Sequence, residues 1–127
     1  MSSRSTVNGI ILFAHGSRDP QWHQPVQQVA ERIRQLNPQV HVRCAYLELT
    51  APDLPTCADE LIRSGISSIT IIPMFLGVGR HAREDLPNLL AELQAAYPAV
   101  RSRLQPAIGE DARVLDLLAR IALDGGQ

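Results

Sequence analysis

Two histidines in the sequence each follow an apolar run and lie among glycines and arginines. His15 comes directly after residues 10–14, and His81 follows residues 69–76 with two glycines between them. Two neutral imidazoles can bind a late first-row divalent cation at ~2.0–2.1 Å per bond, and so few protein ligands leave its coordination shell open. If the fold brings them together, the pair indicates a site for a metal ion that is exchanged rather than one that holds a fold together.

The chain around these histidines alternates strand and helix patterns four times. We expect strands over residues 7–13, 40–47, 67–73 and 100–104, and later helices over residues 53–64, 84–97 and 111–123. A first helix begins near Pro20 or near Pro25, since both suit a first turn, and ends at Asn37. Its apolar face is predicted to contain Trp22, Val26, Val29, Ile33 and Leu36. Pro87 is compatible with the third helix only in the first turn.

Strands that are joined through helices run parallel, with helices on both faces of the sheet. We therefore predict an α/β fold in one domain, residues 1–127: a three-layer α/β/α sandwich around a four-stranded parallel sheet of order 2-1-3-4, flavodoxin-like in shape. In that order the chain reverses its winding between strands 1 and 3, which leaves a crevice outside their carboxyl ends. The topology then brings His15 and His81 to the same crevice, each on a loop.

Other polar residues are expected near this crevice. Glu48, after strand 2, is a candidate cation ligand or proton acceptor, with a solvated carboxylate as the equal alternative. Arg18, Arg80 and Arg83 suggest binding of carboxylates or phosphates. The candidate substrate-binding residues are Ser17, Arg18, Gly79, Arg80 and Arg83.

The remaining histidines and cysteines are weaker candidates. His23 is an auxiliary near the crevice mouth, whereas His41 opens strand 2 at the opposite edge of the sheet and is predicted to be a surface residue. Cys44 and Cys57 do not have a zinc spacing, so we expect both to be reduced and structural.

Composition excludes several classes of function. All twelve basic residues of the 127 are arginines, so a Walker-type phosphate loop, a Schiff-base lysine and lysine-bound pyridoxal phosphate are excluded. The net charge of −1 argues against nonspecific nucleic-acid binding. No apolar run approaches the ~20 residues that cross a bilayer. The short polar N-terminus lacks a signal-peptide pattern, so we expect a cytoplasmic protein without membrane partners.

Two motifs carry a resemblance to a known family. Residues 14–20, Ala-His-Gly-Ser-Arg-Asp-Pro, resemble the N-terminal motif of the class II tetrapyrrole chelatases, in particular the short sirohydrochlorin chelatases. Residues 73–76, with Gly79, His81 and residues 85–87, resemble that family's second motif. Glu48 matches its acidic position after strand 2, and residues 106–109 match its last loop. The similarity therefore covers nearly the whole chain.

The resemblance implies an enzyme of the lyase class that inserts a divalent metal into sirohydrochlorin without ATP, in cobalamin or sirohaem biosynthesis. It implies His15 and His81 as the metal-binding pair and His15, Glu48 and His81 as catalytic residues. Cobalt or iron is the expected metal substrate, with nickel as an alternative, and no cofactor is permanently bound. It also implies a homodimer; the apolar face of the last helix, residues 114–121, is either that interface or part of the core.

Three other functions remain as alternatives. A metal or tetrapyrrole carrier would use the same fold and ligands without catalysis. A phosphatase with a strand-end histidine is less favoured, because those enzymes have arginine directly before the histidine and Ala14 stands there. A flavodoxin-shaped nucleotide or flavin binder lacks support, since no glycine-rich phosphate fingerprint follows strand 1.

Overall fold

Four parallel strands form one sheet in the computed structural model, which describes residues 8–125 apart from the side chain of His81. The strands are β1 Asn8–Ala14, β2 His41–Tyr46, β3 Ser68–Pro73 and β4 Arg101–Leu104, in the order β2-β1-β3-β4. This confirms the predicted sheet and its order. Val7, where we expected β1 to begin, lies outside the described residues.

Within residues 8–125, three α-helices and one 3₁₀ helix connect the strands, and a second 3₁₀ helix and a fourth α-helix follow β4. The α-helices are α1 Gln24–Leu36, α2 Leu54–Arg63, α3 Arg80–Ala96 and α4 Ala112–Asp124, and the 3₁₀ helices are Pro20–His23 and Ile108–Glu110. Asp53 caps α2 by accepting a hydrogen bond from Thr56 N–H, and Asp111 caps α4 by accepting one from Arg113 N–H. Both carboxylates satisfy helix N–H groups that have no partner within the helix.

The apolar run of β1 is buried on both faces of the sheet, as expected for a central parallel strand. Ile11 and Phe13 point into the larger core, which α2 and α3 cover. Leu12 points to the opposite face, where it packs with Ala30 of α1 and Val42 of β2. Helices on both faces of the sheet make three layers, as predicted.

The third helix begins four residues earlier than expected. Gly79 is its N-cap and accepts a hydrogen bond from Arg83 N–H at 3.0 Å, so His81 lies in the first turn of α3 and not on a loop. The prediction for Pro87 was wrong, because this proline lies inside the helix. Its missing N–H interrupts one turn, but Leu86 and other apolar side chains of α3 pack into the larger core and stabilise the helix across it.

The first helix follows both proline signals. Asp19 and Pro20 begin the 3₁₀ helix, and Pro25 lies in the first turn of α1. The prediction that Trp22 belongs to the buried face was wrong, since it lies in the 3₁₀ segment and is 66% exposed. A 3₁₀ turn contains three residues per turn rather than 3.6, so the spacing does not continue onto the face of α1.

The last helix is barely packed against the rest of the chain. None of the residues of α4 is buried, and its main packing partner is the neighbouring 3₁₀ helix. The exposed large side chains of this helix are Leu115, Leu117, Leu118, Ile121 and Leu123. The core-packing alternative for this apolar face was therefore wrong. Separately, no helix within residues 8–125 is long and apolar enough to cross a membrane.

Candidate functional site

A cavity of about 210 Å³ opens at the carboxyl ends of β1 and β3, where the topology predicted a crevice. It is lined by Ala14, His15, Trp22, His23, Val26, Tyr46, Met74, Phe75, Leu76 and Gly77. One wall comes from the segment after β1 and another from the segment after β3. Both sequence motifs thus contribute to a single cavity, and His15 lies on its wall.

His15 presents an exposed imidazole that rests on an aromatic ring. The ring centroids of His15 and Phe75 are 4.3 Å apart, with an interplanar angle of 33°. Phe75 itself is buried and belongs to the larger core. Phe75 thus packs against one face of the imidazole, while the His15 side chain as a whole remains exposed.

Gly16 allows the chain to turn immediately after His15. Its φ is +93°, in the left-handed region that favours glycine, and a Cβ here would overlap the carbonyl oxygen of Glu48. Glu48 N–H in turn donates to the carbonyl of His15 at 3.0 Å. The segment after β1 and the segment after β2 are therefore in main-chain contact at His15 and at Gly16.

Further main-chain hydrogen bonds connect the segments that follow the strands. Leu47 N–H donates to the carbonyl of Ala14 at 2.8 Å, and Met74 N–H donates to the carbonyl of Phe13 at 2.8 Å. Gly109 N–H donates to the carbonyl of Phe75 at 3.0 Å. The four segments at this edge of the sheet are thus connected to one another through backbone atoms rather than side chains.

His23 is buried beside the cavity, and one of its ring nitrogens is occupied. Its Nε2 accepts a hydrogen bond from Ser17 N–H at 3.0 Å, and its ring lies 4.4 Å from that of Tyr46. Burial raises the pKa of Tyr46 above its ordinary value of 10.0, so its phenol is neutral at physiological pH. His23 thus lies beside the cavity, as expected, and contacts the loop that follows His15.

Glu48 lies in the turn after β2, and its side chain is exposed. The next residue, Leu49, has a φ of +69°, which places a non-glycine residue in the left-handed region. Such strain is found more often at functional sites than elsewhere. The Glu48 carboxylate is thus accessible to solvent on a turn that main-chain bonds attach to His15.

The predicted arginines are exposed at two places. Arg18 follows the His15 motif, whereas Arg80 and Arg83 lie in the first turn of α3. None of the three forms an ion pair with another described residue. The first turn of α3 contains no acidic residue, so the positive end of the helix dipole is not neutralised within its own turn. This region is suited to acidic ligands.

The described side chains hold no group of three or more histidine, cysteine or acidic residues suited to a metal ion. His81 falls outside that search, because only its backbone is described. His15, His81 and Glu48 all follow strands at the same edge of the sheet. The predicted donor set is therefore sparse, with two imidazoles and one carboxylate at most.

A larger cavity of about 450 Å³ lies apart from the histidines, between Ile72 and the start of α4. Two acidic residues, Glu110 and Asp111, line it, and Asp111 is already paired with Arg113 at 2.7 Å. Histidine and aromatic side chains line only the smaller of these two cavities, so the smaller one is the better candidate site.

Sequence reasoning missed two side chains of the smaller cavity. Phe75 was recognised only as part of a motif, and its contact with His15 depends on how β1 and β3 are paired. Trp22 was assigned to the core, although a tryptophan after the cap signal at Asp19 could have suggested a 3₁₀ turn with an exposed ring.

The comparison with protein families decides the relationship. The family model of CbiX matches residues 9–124. The chain belongs to the CbiX family. It is 28% identical over 110 residues to the sirohydrochlorin cobaltochelatase of Sulfolobus acidocaldarius, an alignment that covers 87% of this chain and 85% of that relative.

Solved structures agree with this assignment. A protein named as a cobalamin (vitamin B12) biosynthesis CbiX protein, from Marinobacter aquaeolei VT8, superposes with a TM-score of 0.79 at 34% identity, covering 94% of this chain and 96% of that one. The sirohydrochlorin chelatase SirB of Bacillus subtilis subspecies spizizenii, solved with cobalt, superposes with a TM-score of 0.76 at 25% identity. That match covers 92% of this CbiX-family chain but 50% of SirB.

Length varies among the relatives. The chain spans 62% and 57% of two further curated sirohydrochlorin cobaltochelatases. The CbiX-family chain thus corresponds to one half of SirB and to more than half of these relatives.

Proposed function

We propose that this protein is an ATP-independent chelatase that inserts a divalent metal, cobalt first and iron second, into sirohydrochlorin. The observation that carries the proposal is the exposed imidazole of His15 on the wall of the cavity between β1 and β3. Membership of the CbiX family and similarity to sirohydrochlorin cobaltochelatases and to cobalt-bound SirB supply the substrate class.

In this proposal His15 and His81 bind the metal ion as substrate. The stack on Phe75 restricts the orientation of the His15 ring, so the metal is presented in a defined direction. Two imidazoles leave most coordination positions free, and the ring nitrogens of the macrocycle can take them up in turn. Those nitrogens lose two protons as the metal enters, and Glu48 or one of the histidines accepts them one at a time and passes each to water.

The flat macrocycle needs apolar contacts as well as charge. Trp22 and Leu76 line the same cavity as His15, and both are largely exposed, so they offer apolar surface to the ring face. Arg18, Arg80 and Arg83 are assigned to the acidic side chains of the substrate, together with Ser17 and Gly79 as neighbouring backbone. Binding at several points fixes the height of the ring above the metal.

We also propose that the working form is a homodimer that packs through α4. The cavity of about 210 Å³ is smaller than the ~300–1,000 Å³ of clefts that enclose drug-sized ligands, so one chain alone does not surround a macrocycle. SirB is twice as long as the matched region, and a second copy of this chain would supply the missing half. The exposed leucines of α4 provide the apolar face for that contact.

The activity is tested by following the absorption spectrum of sirohydrochlorin with cobalt, iron and nickel side by side. We expect the wild type to accelerate insertion of cobalt or iron, and His15→Ala and His81→Ala each to remove most of the rate. His41→Ala is the matched control, since His41 is exposed at the start of β2 and far from the cavity. A wild type that binds cobalt without accelerating insertion would indicate the carrier function instead.

The dimer is tested separately by the molar mass in solution. Leu118→Glu combined with Ile121→Glu is expected to yield monomers with reduced activity, whereas Leu36→Glu, a change at a still more exposed apolar residue on α1, is expected to leave the mass unchanged. A monomeric wild type with full activity would refute this part of the proposal.

A further inference from the structure

We propose that His23 is a positioning residue, whose neutral imidazole holds the loop after His15 in place without binding the metal. This inference rests on the proposed function, because it concerns the same site. It assigns to His23 an effect on metal binding that is transmitted through Ser17.

The hydrogen bond defines the protonation of the His23 ring. Nε2 accepts from Ser17 N–H at 3.0 Å, and an imidazole nitrogen that accepts carries no proton. The neutral ring therefore carries its proton on Nδ1. The lone pair of Nε2 is directed at the backbone and is not available to a metal, while the protonated Nδ1 has none to offer.

The position of the ring is fixed by its surroundings. His23 is 8% exposed, one of few buried polar residues among those described, and its ring packs against the buried Tyr46 at 4.4 Å. It is the last residue of the 3₁₀ helix and the N-cap of α1. Because the His23 ring is held in this way, its Nε2 has little freedom to move with the loop after His15. The position of Nε2 therefore determines the position of the loop.

Hydrogen bonds within the segment between Ser17 and His23 link these two residues by a second route. Asp19 N–H donates to Ser17 Oγ, Gln21 N–H donates to Asp19 Oδ1, and Trp22 N–H donates to the carbonyl of Asp19, each at 3.0 Å. The Ser17–His23 bond closes this series of hydrogen bonds into a cycle. This cycle of hydrogen bonds gives the segment one defined shape, and it includes the turn that contains Trp22.

His15 lies next to this cycle of hydrogen bonds and is held from both sides. Its carbonyl accepts from Glu48 N–H at 3.0 Å, and two residues later Ser17 N–H is bound by His23. Without the acceptor, Ser17 N–H must find water, because a buried donor left unpaired is costly. The segment would then move, and His15 would lose its fixed relation to Phe75.

Two substitutions separate the effect of the hydrogen-bond acceptor of His23 from the effect of its aromatic ring. In His23→Gln the side-chain carbonyl can reach the position of Nε2, but the aromatic ring is lost. In His23→Phe the ring against Tyr46 is retained, but no acceptor remains. His41→Phe makes the same change at an exposed histidine at the other end of the sheet.

The measurements are Co²⁺ affinity by titration, and kcat and KM for metal insertion. We expect His23→Phe to weaken Co²⁺ binding about tenfold and to lower kcat more than it raises KM, as loss of one buried hydrogen bond allows. We expect His23→Gln to restore most of the affinity. A Phe variant that binds Co²⁺ like the wild type, or a Gln variant impaired as much as the Phe variant, would overturn the proposal.

A measurement on the wild type covers the case in which a variant does not fold. Nitrogen-15 spectra of the histidine rings distinguish a protonated, an unprotonated and a metal-bound nitrogen. We expect Nε2 of His23 to be unprotonated at pH 7.5 and to stay so after Zn²⁺ is added as a diamagnetic probe. A shift of His23 to a metal-bound pattern would make it a ligand and end the proposal.

These readouts separate the inference from the proposed function. If the protein accelerates no insertion but its His23 tautomer and the order of metal affinities are as expected, the chelatase function fails and the positioning role stands. If insertion proceeds and the affinities do not follow the acceptor, the positioning role fails alone.

Discussion

The turn at Gly16 provides the sharpest test of how the site is built, because two separate costs can be measured at it. Gly16 has a φ of +93°, and any Cβ would overlap the Glu48 carbonyl oxygen. Gly65 has a φ of +101° but no atom within 4 Å of the added Cβ, and Gly77 has neither feature. The three alanine variants therefore share one chemical change but differ in backbone conformation and in what the Cβ meets.

The magnitudes follow from these environments. A left-handed conformation costs an alanine ~1–2 kcal/mol, and the reduced entropy of the unfolded chain returns ~0.4–1 kcal/mol. Gly65→Ala should thus destabilise the fold by about 1 kcal/mol, from these two effects alone. Gly16→Ala has the same effects and an overlap with the backbone, for which overpacking costs of ~1–3 kcal/mol apply, so we expect a total of about 2–4 kcal/mol. Gly77→Ala has only the entropic effect, so it should be stabilising by ~0.4–1 kcal/mol.

Urea unfolding followed by circular dichroism, at one protein concentration, measures the three free energies of unfolding. Co²⁺ titration then shows whether Gly16→Ala also weakens metal binding, as we expect from displacement of His15. If Gly16→Ala is destabilised no more than Gly65→Ala, the close approach of Glu48 to this turn is wrong, and so is the coupling between the two segments.

Two further predictions concern ionisation. The Arg113 side chain, followed by backbone N–H groups, lowers the pKa of Asp111 from 3.8 to about 2. Because the pKa of Asp111 is lower in the folded than in the unfolded state, its carboxylate stabilises the fold at pH values above the unfolded-state pKa, and this stabilisation is lost as pH falls towards 2. The difference in Tm between wild type and Asp111→Asn should therefore be small, shrink in salt and close below about pH 3. A gap that is constant from pH 6 to pH 2.5 would contradict this. Burial, followed by the charge of Glu60, raises the pKa of Cys57 from 9.0 to about 12. A disulfide reagent at pH 8 should therefore spare this thiol in the native protein and titrate both cysteines in urea, and raising the pH above 9 should reduce stability; two fast-reacting thiols in the native protein would refute this.

The order of the elements was predictable, because β1 and β3 are short apolar runs and α2 and α4 begin at capping aspartates. β1 is buried on both faces and so reads as an uninterrupted apolar segment. Asp53 and Asp111 were at the start of their predicted helices and cap them in the structure. These features depend only on neighbouring residues, which a single sequence contains.

The features that were not predicted depend on contacts across the fold. Gly79 has no side chain that could indicate an N-cap, and Pro87 suggested a helix start closer to itself. The predicted start of α3 was therefore too late in the sequence. Trp22 was wrongly assigned to the apolar face of α1 because it lies in the 3₁₀ helix that precedes α1. At the site, the residue types of His15 and Glu48 suggested metal chemistry, but the main-chain bond between them required the pairing of β1 with β2.

Backbone hydrogen bonds connect the segments at the site, and this has a consequence for how the family can diversify. Carbonyls of Phe13, Ala14, His15 and Phe75 accept these hydrogen bonds; every residue type can accept in the same way, and every type except proline can donate. Side chains that project into the cavity can therefore be exchanged while the frame around them persists. A lineage could acquire a preference for another metal or a different macrocycle through a handful of substitutions, with no need to rebuild the scaffold.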